Sequence, residues 1–108
     1  MPRYLALLQY SAEGMKGLLK EKAAARETAG RKATESAGGK LEAWYWTASG
    51  EYNLAVIGEY PDAATAGALG ALLLSTGVFS KFNVIELLTT SEIDRALGKS
   101  MQYRPPGA

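Results

Sequence analysis

The most pronounced hydrophobic pattern lies between residues 40 and 60. Two runs rich in aromatic and aliphatic residues, 41–47 and 52–60, flank the short polar break 48–51. Two apolar runs joined by a short loop that contains glycine are typical of a β-hairpin. Because this hairpin holds both tryptophans, we expect it to lie at the centre of a sheet.

A strand and a long helix are predicted before the hairpin. Residues 4–10 are largely apolar on both faces of the predicted strand, which indicates that neither face meets water. Ser11 is a typical helix N-cap, and the helix is predicted over residues 13–37. Leu18 and Leu19 belong to a buried stripe that small residues continue along the helix.

Charged residues of both signs are spread along this first helix. Their interspersed signs favour a solvated helix face with local ion pairs over a surface for an anionic partner. Gly30 is expected to weaken the helix midway, and Gly38-Gly39 to end it. The basic residues are Lys16, Lys20, Lys22, Arg26, Arg31 and Lys32, and the acidic ones are Glu21, Glu27 and Glu35.

A second helix is predicted directly after the hairpin. Asp62 is a typical cap for it, and Gly77 ends it. Alanine and glycine dominate its sequence, which favours close packing on the sheet; the alternative is that the small side chains leave room for a ligand. The apolar anchors of the helix are expected to be Leu69, Leu72 and Leu73.

The last predicted elements are a strand at 78–88 and a short helix at 91–99, with Thr89 and Glu92 in the pattern of a capping box. The order strand, helix, strand, strand, helix, strand predicts an α+β, ferredoxin-like βαββαβ fold with a four-stranded antiparallel sheet. We assign residues 1–99 to this domain and residues 100–108 to a C-terminal arm or frayed tail.

The strands carry apolar residues on both faces, although two helices can cover only one face of a four-stranded sheet. An uncovered apolar face of that size is unusual on a monomer. We therefore expect a homodimer that pairs the open faces of two sheets across a two-fold axis.

Composition narrows the possible chemistry. The 108 residues have a net charge of +1, which argues against a nucleic-acid partner. The absence of cysteine and histidine excludes disulfides, thiolate or imidazole ligands, and nucleophiles of either type. The strand carboxylates Glu42, Glu59 and Glu86 are scattered, so we expect no metal site, and we expect no cofactor. No signal-peptide pattern or membrane-spanning run occurs, so a cytoplasmic protein with no membrane partner is expected.

The best candidate site is a cluster of aromatic and polar residues. Trp44 and Trp46 share one face of their strand, and the sequence leaves open whether that face meets the helices or a partner sheet. The rings either fill the core and the dimer interface or line a mostly apolar pocket for a flat ligand. We predict ligand binding by Trp44, Trp46, Tyr52 and Asn53, and the candidates for catalysis are Tyr10, Tyr52 and Asn53.

The chain resembles the GYD-domain family, small bacterial proteins of the dimeric α/β-barrel superfamily. The resemblance covers nearly the whole chain and implies a ferredoxin-like homodimer without a settled activity. One departure stands out, because the family motif has an aspartate after its Gly and Tyr residues and this chain has Asn53. The matching segments are 1–4, 14–19, 38–43, Gly50-Glu51-Tyr52, Tyr60-Pro61-Asp62 and Leu87-Leu88-Thr89.

Three functions are compatible with this sequence. The first is a homodimer that binds a small, mostly apolar or aromatic molecule. The second, by analogy with the superfamily, is a cofactor-independent monooxygenase or isomerase, in which Tyr10 or Tyr52 donates a proton and Asn53 stabilises an oxyanion. The third is a structural or regulatory dimer without a ligand.

Overall fold

A computed structural model describes residues 1–48 and 50–108. Ser49, in the loop of the predicted hairpin, lies outside the described residues. The strands are β1 (Arg3–Tyr10), β2 (Lys40–Trp46), β3 (Leu54–Glu59) and β4 (Phe79–Leu87). The helices are α1 (Ala12–Glu21), α2 (Ala23–Ser36), α3 (Ala63–Ser75) and α4 (Thr90–Leu97).

The four strands form one antiparallel sheet in the order β2-β3-β1-β4. This order confirms the predicted α+β ferredoxin-like fold. The expectation that the whole hairpin lies at the centre was wrong for half of it, because β3 is internal while β2 is an edge strand. The reason is that β1 pairs with both β3 and β4, so the first strand of the chain occupies the other central position.

The predicted helix caps are confirmed. Ser11 Oγ accepts a hydrogen bond from the Gly14 N–H at 3.0 Å, and Asp62 Oδ1 accepts one from the Thr65 N–H at 2.8 Å. Thr89 caps α4 in a complete capping box with the α4 glutamate at its third position. The hydroxyl and N–H of Thr65 together lower the pKa of Asp62 below its ordinary value.

The prediction of one continuous helix over residues 13–37 was wrong, because two helices, α1 and α2, occupy this segment. It breaks at Lys22, whose φ of 77° and ψ of 168° lie in a region that side-chain-bearing residues rarely adopt. Gly30, where we expected weakening, lies inside the regular helix α2. Leu19, expected in the buried stripe, is exposed, as is Leu72 of the predicted α3 anchors.

One face of the sheet is covered by α2 and α3 and holds the core. Its most buried residue is Leu54, at 2% exposure, which packs with Leu8, Leu41 and Val56. Trp44 pairs in register with Val56 and therefore points to this helix-covered face, as does Trp46 beside Leu54. The structure thus answers which face of β2 meets the helices.

The other face, which we call the open face, is covered by no element of the described chain. Two rows of mostly apolar residues cross its four strands, and charged residues lie at both strand ends. Tyr45 is 69% exposed and Ile85 is 43% exposed on it. The rows are Ala43, Ile57, Leu5, Ile85 and Tyr45, Ala55, Leu7, Asn83.

Ion pairs neutralise the charges at both ends of the open face. Arg3 lies between two strand glutamates, at 2.7 Å from Glu42 and 3.8 Å from Glu59. The Glu42 carboxylate raises the pKa of Arg3. At the opposite end Lys81 pairs with Glu51. The open face is therefore apolar at its centre and close to neutral at its rim.

The C-terminal helix lies largely in solvent. Every residue of α4 except Glu92 is exposed, and residues 98–108 form no further helix or strand. The division at residue 99 stays a prediction. Within the described ranges 1–48 and 50–108, no helix has the length and hydropathy needed to cross a bilayer.

Candidate functional site

A cavity of about 270 Å³ lies between the helix-covered face of the sheet and the helices α2 and α3. Its walls are mostly aliphatic and aromatic, with polar groups at each end. The strands contribute Tyr4, Ala6, Leu8, Tyr10, Trp44, Leu54, Val56, Gly58, Phe79, Phe82 and Val84. The helices contribute Arg26, Ala29, Gly30, Ala33, Thr34, Ala66, Leu69 and Leu73.

Small helix residues explain why the space is both narrow and unfilled. Gly30 of α2 lies so close to Trp44 that a Cβ at this position would be 2.2 Å from Cζ3 of the indole. Gly70 of α3 lies close to Phe82 in the same way, since a Cβ at Gly70 would be 2.9 Å from Cε1 of the phenyl ring. Ala33 of α2 and Ala66 of α3 also line the cavity. The helices therefore touch the aromatic rings and leave a void beside them.

One end of the cavity holds the phenol of Tyr10 and the guanidinium of Arg26, and the Trp44 indole lies beside Gly30, about one helical turn after Arg26. Tyr10 is 8% exposed, and burial raises the pKa of its phenol, an effect that the nearby Arg26 charge partly offsets. Arg26 pairs with Glu21: its Nη2 donates a hydrogen bond to Oε1 at 3.4 Å, and its buried Nε lies 3.1 Å from Oε2 without hydrogen-bond geometry. The buried Trp44 Nε1 has no acceptor among the described residues. This end, which we call the donor end, presents polar hydrogens to an apolar space.

The opposite end of the cavity is a pair of tyrosines beside a buried threonine. The rings of Tyr4 and Tyr60 lie 6.0 Å apart, and the hydroxyls of Tyr60 and Thr34 are separated by 3.5 Å. The Thr34 hydroxyl also donates to the Gly30 carbonyl at 2.9 Å, so its hydrogen is already used. Burial raises the pKa of the Tyr4 phenol. This end is neutral and largely satisfied internally.

The structure brings some of the predicted site residues together and separates others. Trp46 stacks on Tyr10 at 6.2 Å and meets Trp44 edge-on at 6.0 Å, so it supports the rings that line the cavity. Tyr52 and Asn53 lie at the hairpin end of the sheet and do not line the cavity.

Asn53 joins the hairpin to β1. Its Oδ1 accepts a hydrogen bond from the Tyr10 N–H at 2.8 Å, and its N–H donates to the Leu8 carbonyl at 2.8 Å. The Asn53 carbonyl accepts from the Thr47 N–H at 2.9 Å. The side chain therefore satisfies a backbone donor of the residue whose phenol lies at the donor end.

Arg26 is a charged cavity residue that sequence reasoning did not assign to the site. We expected it on a solvated helix face with the other charges, but it lines the cavity and its side chain is 32% exposed. Its spacing carried a signal, because Ala29, Gly30 and Ala33 follow it at i+3, i+4 and i+7 and share its helix face. Among the described residues, no group of three acidic, cysteine or histidine side chains is placed to hold a metal ion.

Comparison with known proteins adds one match. Residues 4–97 match the family model described as GYD domain. A search of curated proteins found no sequence that matches the chain.

Proposed function

The chain belongs to the GYD domain family, and on that premise we propose that it binds a small, mostly apolar or aromatic molecule in the cavity. The observation that carries the proposal is a 270 Å³ space with aromatic walls and few polar groups. An apolar cavity of about 150 Å³ is enough to admit benzene. The larger space here matches a molecule of two fused rings, in keeping with the general character of ligand sites.

The open face supports a homodimer as the form in which the protein binds. Its two apolar rows are the largest uncovered apolar surface of the sheet, and an isologous pairing would bury both copies at once. The ion pairs at the rim leave no large charge of one sign to repel a second copy. We propose that two chains pair through this face, which leaves the cavities on the outer, helix-covered sides.

Titration calorimetry with 2-naphthamide, a neutral two-ring probe, tests the cavity directly. Ala33→Leu should fill the cavity and weaken binding about tenfold or more, or by about 1.4 kcal/mol. Its melting temperature should not fall, because the added side chain occupies empty space. Ala24→Leu is the matched control, since Ala24 is an exposed alanine of the same helix. Equal affinity in all three proteins, or no affinity in the wild type, would contradict the proposal.

Native mass spectrometry of untagged protein purified gently from its source tests the same proposal without a chosen probe. It reports the number of subunits and any retained molecule together. A dimer with a defined extra mass is expected. A bare dimer that also fails to bind 2-naphthamide would favour the structural or regulatory dimer.

A cofactor-independent enzyme is the second candidate, and Tyr10 is the observation in its favour. Its buried phenol lines the cavity and remains protonated above its ordinary pKa, so it can donate a proton to a bound molecule. Conversion of the retained molecule on incubation with the wild type, and none with Tyr10→Phe at unchanged affinity, would favour this candidate over simple binding.

A further inference from the structure

We propose that the cavity selects ligands with an anionic group, which Arg26 and the Trp44 N–H recognise at the donor end. This inference rests on the proposed function and narrows it to one chemical class, an aromatic or apolar body that ends in a carboxylate or a similar oxyanion. The apolar walls of the cavity would hold the body, and the donor end would hold the charge.

The first support is an imbalance between donors and acceptors. Trp44 Nε1 and Arg26 Nε are both buried, and neither makes a hydrogen bond within the described residues. An indole nitrogen and a guanidinium donate and cannot accept. Buried donors are normally satisfied, so the indole N–H of Trp44 on the cavity wall indicates that an acceptor is missing, whereas Arg26 Nε has the Glu21 carboxylate at 3.1 Å. Tyr10 adds a third donor, because its phenol stays protonated.

The second support is the charge opposite Arg26. Its partner is Glu21, with 3.1 Å from Nε to Oε2 and 3.4 Å from Nη2 to Oε1. On a continuous helix, residues five apart point in directions about 140° different, since each residue turns about 100°. The two side chains meet because the helix breaks at Lys22, in a backbone conformation unfavourable for lysine. The break therefore brings the Glu21 carboxylate, which is 45% exposed and outside the cavity lining, to the guanidinium that would bind the ligand's anion.

Glu21 would then act as a competitor that the ligand displaces. Its two oxygens lie 3.1 Å from Nε and 3.4 Å from Nη2 of Arg26. Strong charge-assisted hydrogen bonds are about 2.7–2.9 Å long, so a ligand carboxylate that approaches more closely would displace Glu21. Removal of the Glu21 charge should strengthen anion binding, and removal of the Arg26 charge should weaken it. A purely structural ion pair predicts no such opposite effects on one ligand.

The experiment compares 2-naphthoate with 2-naphthamide by calorimetry at neutral pH. The two probes share their rings and differ in charge. We expect the wild type to bind 2-naphthoate about tenfold or more tightly than 2-naphthamide, in line with charge-assisted hydrogen bonding. Arg26→Gln should abolish this preference and leave 2-naphthamide affinity within about twofold. Glu21→Gln should increase 2-naphthoate affinity about threefold or more.

Arg31 and Glu27 provide a matched control, because they form a second Arg–Glu pair on the same helix α2, at 3.9 Å and largely in solvent. Arg31→Gln and Glu27→Gln should leave both affinities unchanged. Binding of 2-naphthamide without a preference for 2-naphthoate would overturn the anion inference and leave the proposed function standing. No binding of either probe would overturn both. If Arg31→Gln lost the preference for 2-naphthoate as fully as Arg26→Gln, the preference would come from the net charge of the protein and not from Arg26. That result would also overturn the inference.

Discussion

The two faces of the sheet have similar hydrophobicity and opposite surroundings. The helix-covered face is enclosed by α2 and α3 but not filled, and the open face is covered by no element of the described residues. Polar groups differ in the same way. On the covered face the buried Trp44 Nε1 has no acceptor among the described residues, whereas at the rim of the open face Arg3 and Lys81 are paired with carboxylates.

The difference shows what apolar patterning leaves undecided. Both faces would be called core from residue type alone, since each carries aliphatic and aromatic side chains. A face with satisfied polar groups around a flat apolar centre suits a protein partner. A face with unsatisfied donors around a concave apolar space suits a small molecule. The distinction comes from the polar atoms at the margins, which a hydrophobic pattern does not describe.

A charge at the centre of the open face should have the largest effect, because it tests whether this face binds a second copy of the chain. Ile57 lies between Ala43 and Leu5 in the first apolar row. Ile57→Glu would bury an unpaired charge in each copy of the proposed dimer, at a cost of about 3 kcal/mol or more, on the order of a hundredfold in the dimer Kd. Sedimentation equilibrium measures the change, and we expect folded monomers.

The matched control for this experiment is Leu72→Glu, which places the same charge at an exposed leucine of α3. It should leave the dimer intact. Circular dichroism and 2-naphthamide binding establish that Ile57→Glu remains folded. A wild type that is monomeric at micromolar concentration, or a dimer unaffected by Ile57→Glu, would show that the open face has another role.

Alanine substitutions at two glycines in the helices of the covered face should change the free energy of unfolding in opposite directions. Alanine at Gly30 meets the Trp44 ring and should destabilise the fold by about 1–3 kcal/mol through overpacking. Alanine at Gly67 of α3 meets no atom within 4 Å and should stabilise by about 0.5–1 kcal/mol, since glycine is unfavourable inside a helix. Urea unfolding measures both free energies. The same sign for both variants would contradict the close approach of α2 to the sheet.

The caps and breaks of the helices show where sequence reasoning succeeded and where it did not. The caps at Ser11, Asp62 and Thr89 were predictable because each is a local interaction within one turn. The break at Lys22 was not, because no glycine or proline marks it and the surrounding residues are good helix formers. Gly30 misled the prediction, because it is needed for contact with a ring distant in sequence and does not weaken its helix.

The candidate site was predictable in its aromatic part and not in its charged part. Trp44 and Trp46 were assigned to one face by strand periodicity, and the register fixed which face. Arg26 was grouped with the solvated charges because charge patterning alone does not distinguish a residue at the cavity wall from its neighbours in solvent. Its role depends on the break at Lys22, which sets the start of α2.

Substitutions at Asn53 test the link between the hairpin and the covered face. Asn53→Ala would leave the Tyr10 N–H without its acceptor and should lower the free energy of unfolding by about 1–3 kcal/mol.

Asn53→Asp restores the residue of the family motif and keeps an acceptor oxygen, so its free energy of unfolding at neutral pH should lie within about 0.5 kcal/mol of wild type. The hydrogen bond to the Tyr10 N–H should lower the pKa of the new carboxylate. The stability it contributes should therefore be present above the unfolded pKa and be lost as pH falls through the folded value. Urea unfolding at neutral and acidic pH measures this difference. Equal losses in the alanine and aspartate variants would show that position 53 needs the amide nitrogen, and that the bond to Tyr10 is not what joins the hairpin to the donor end.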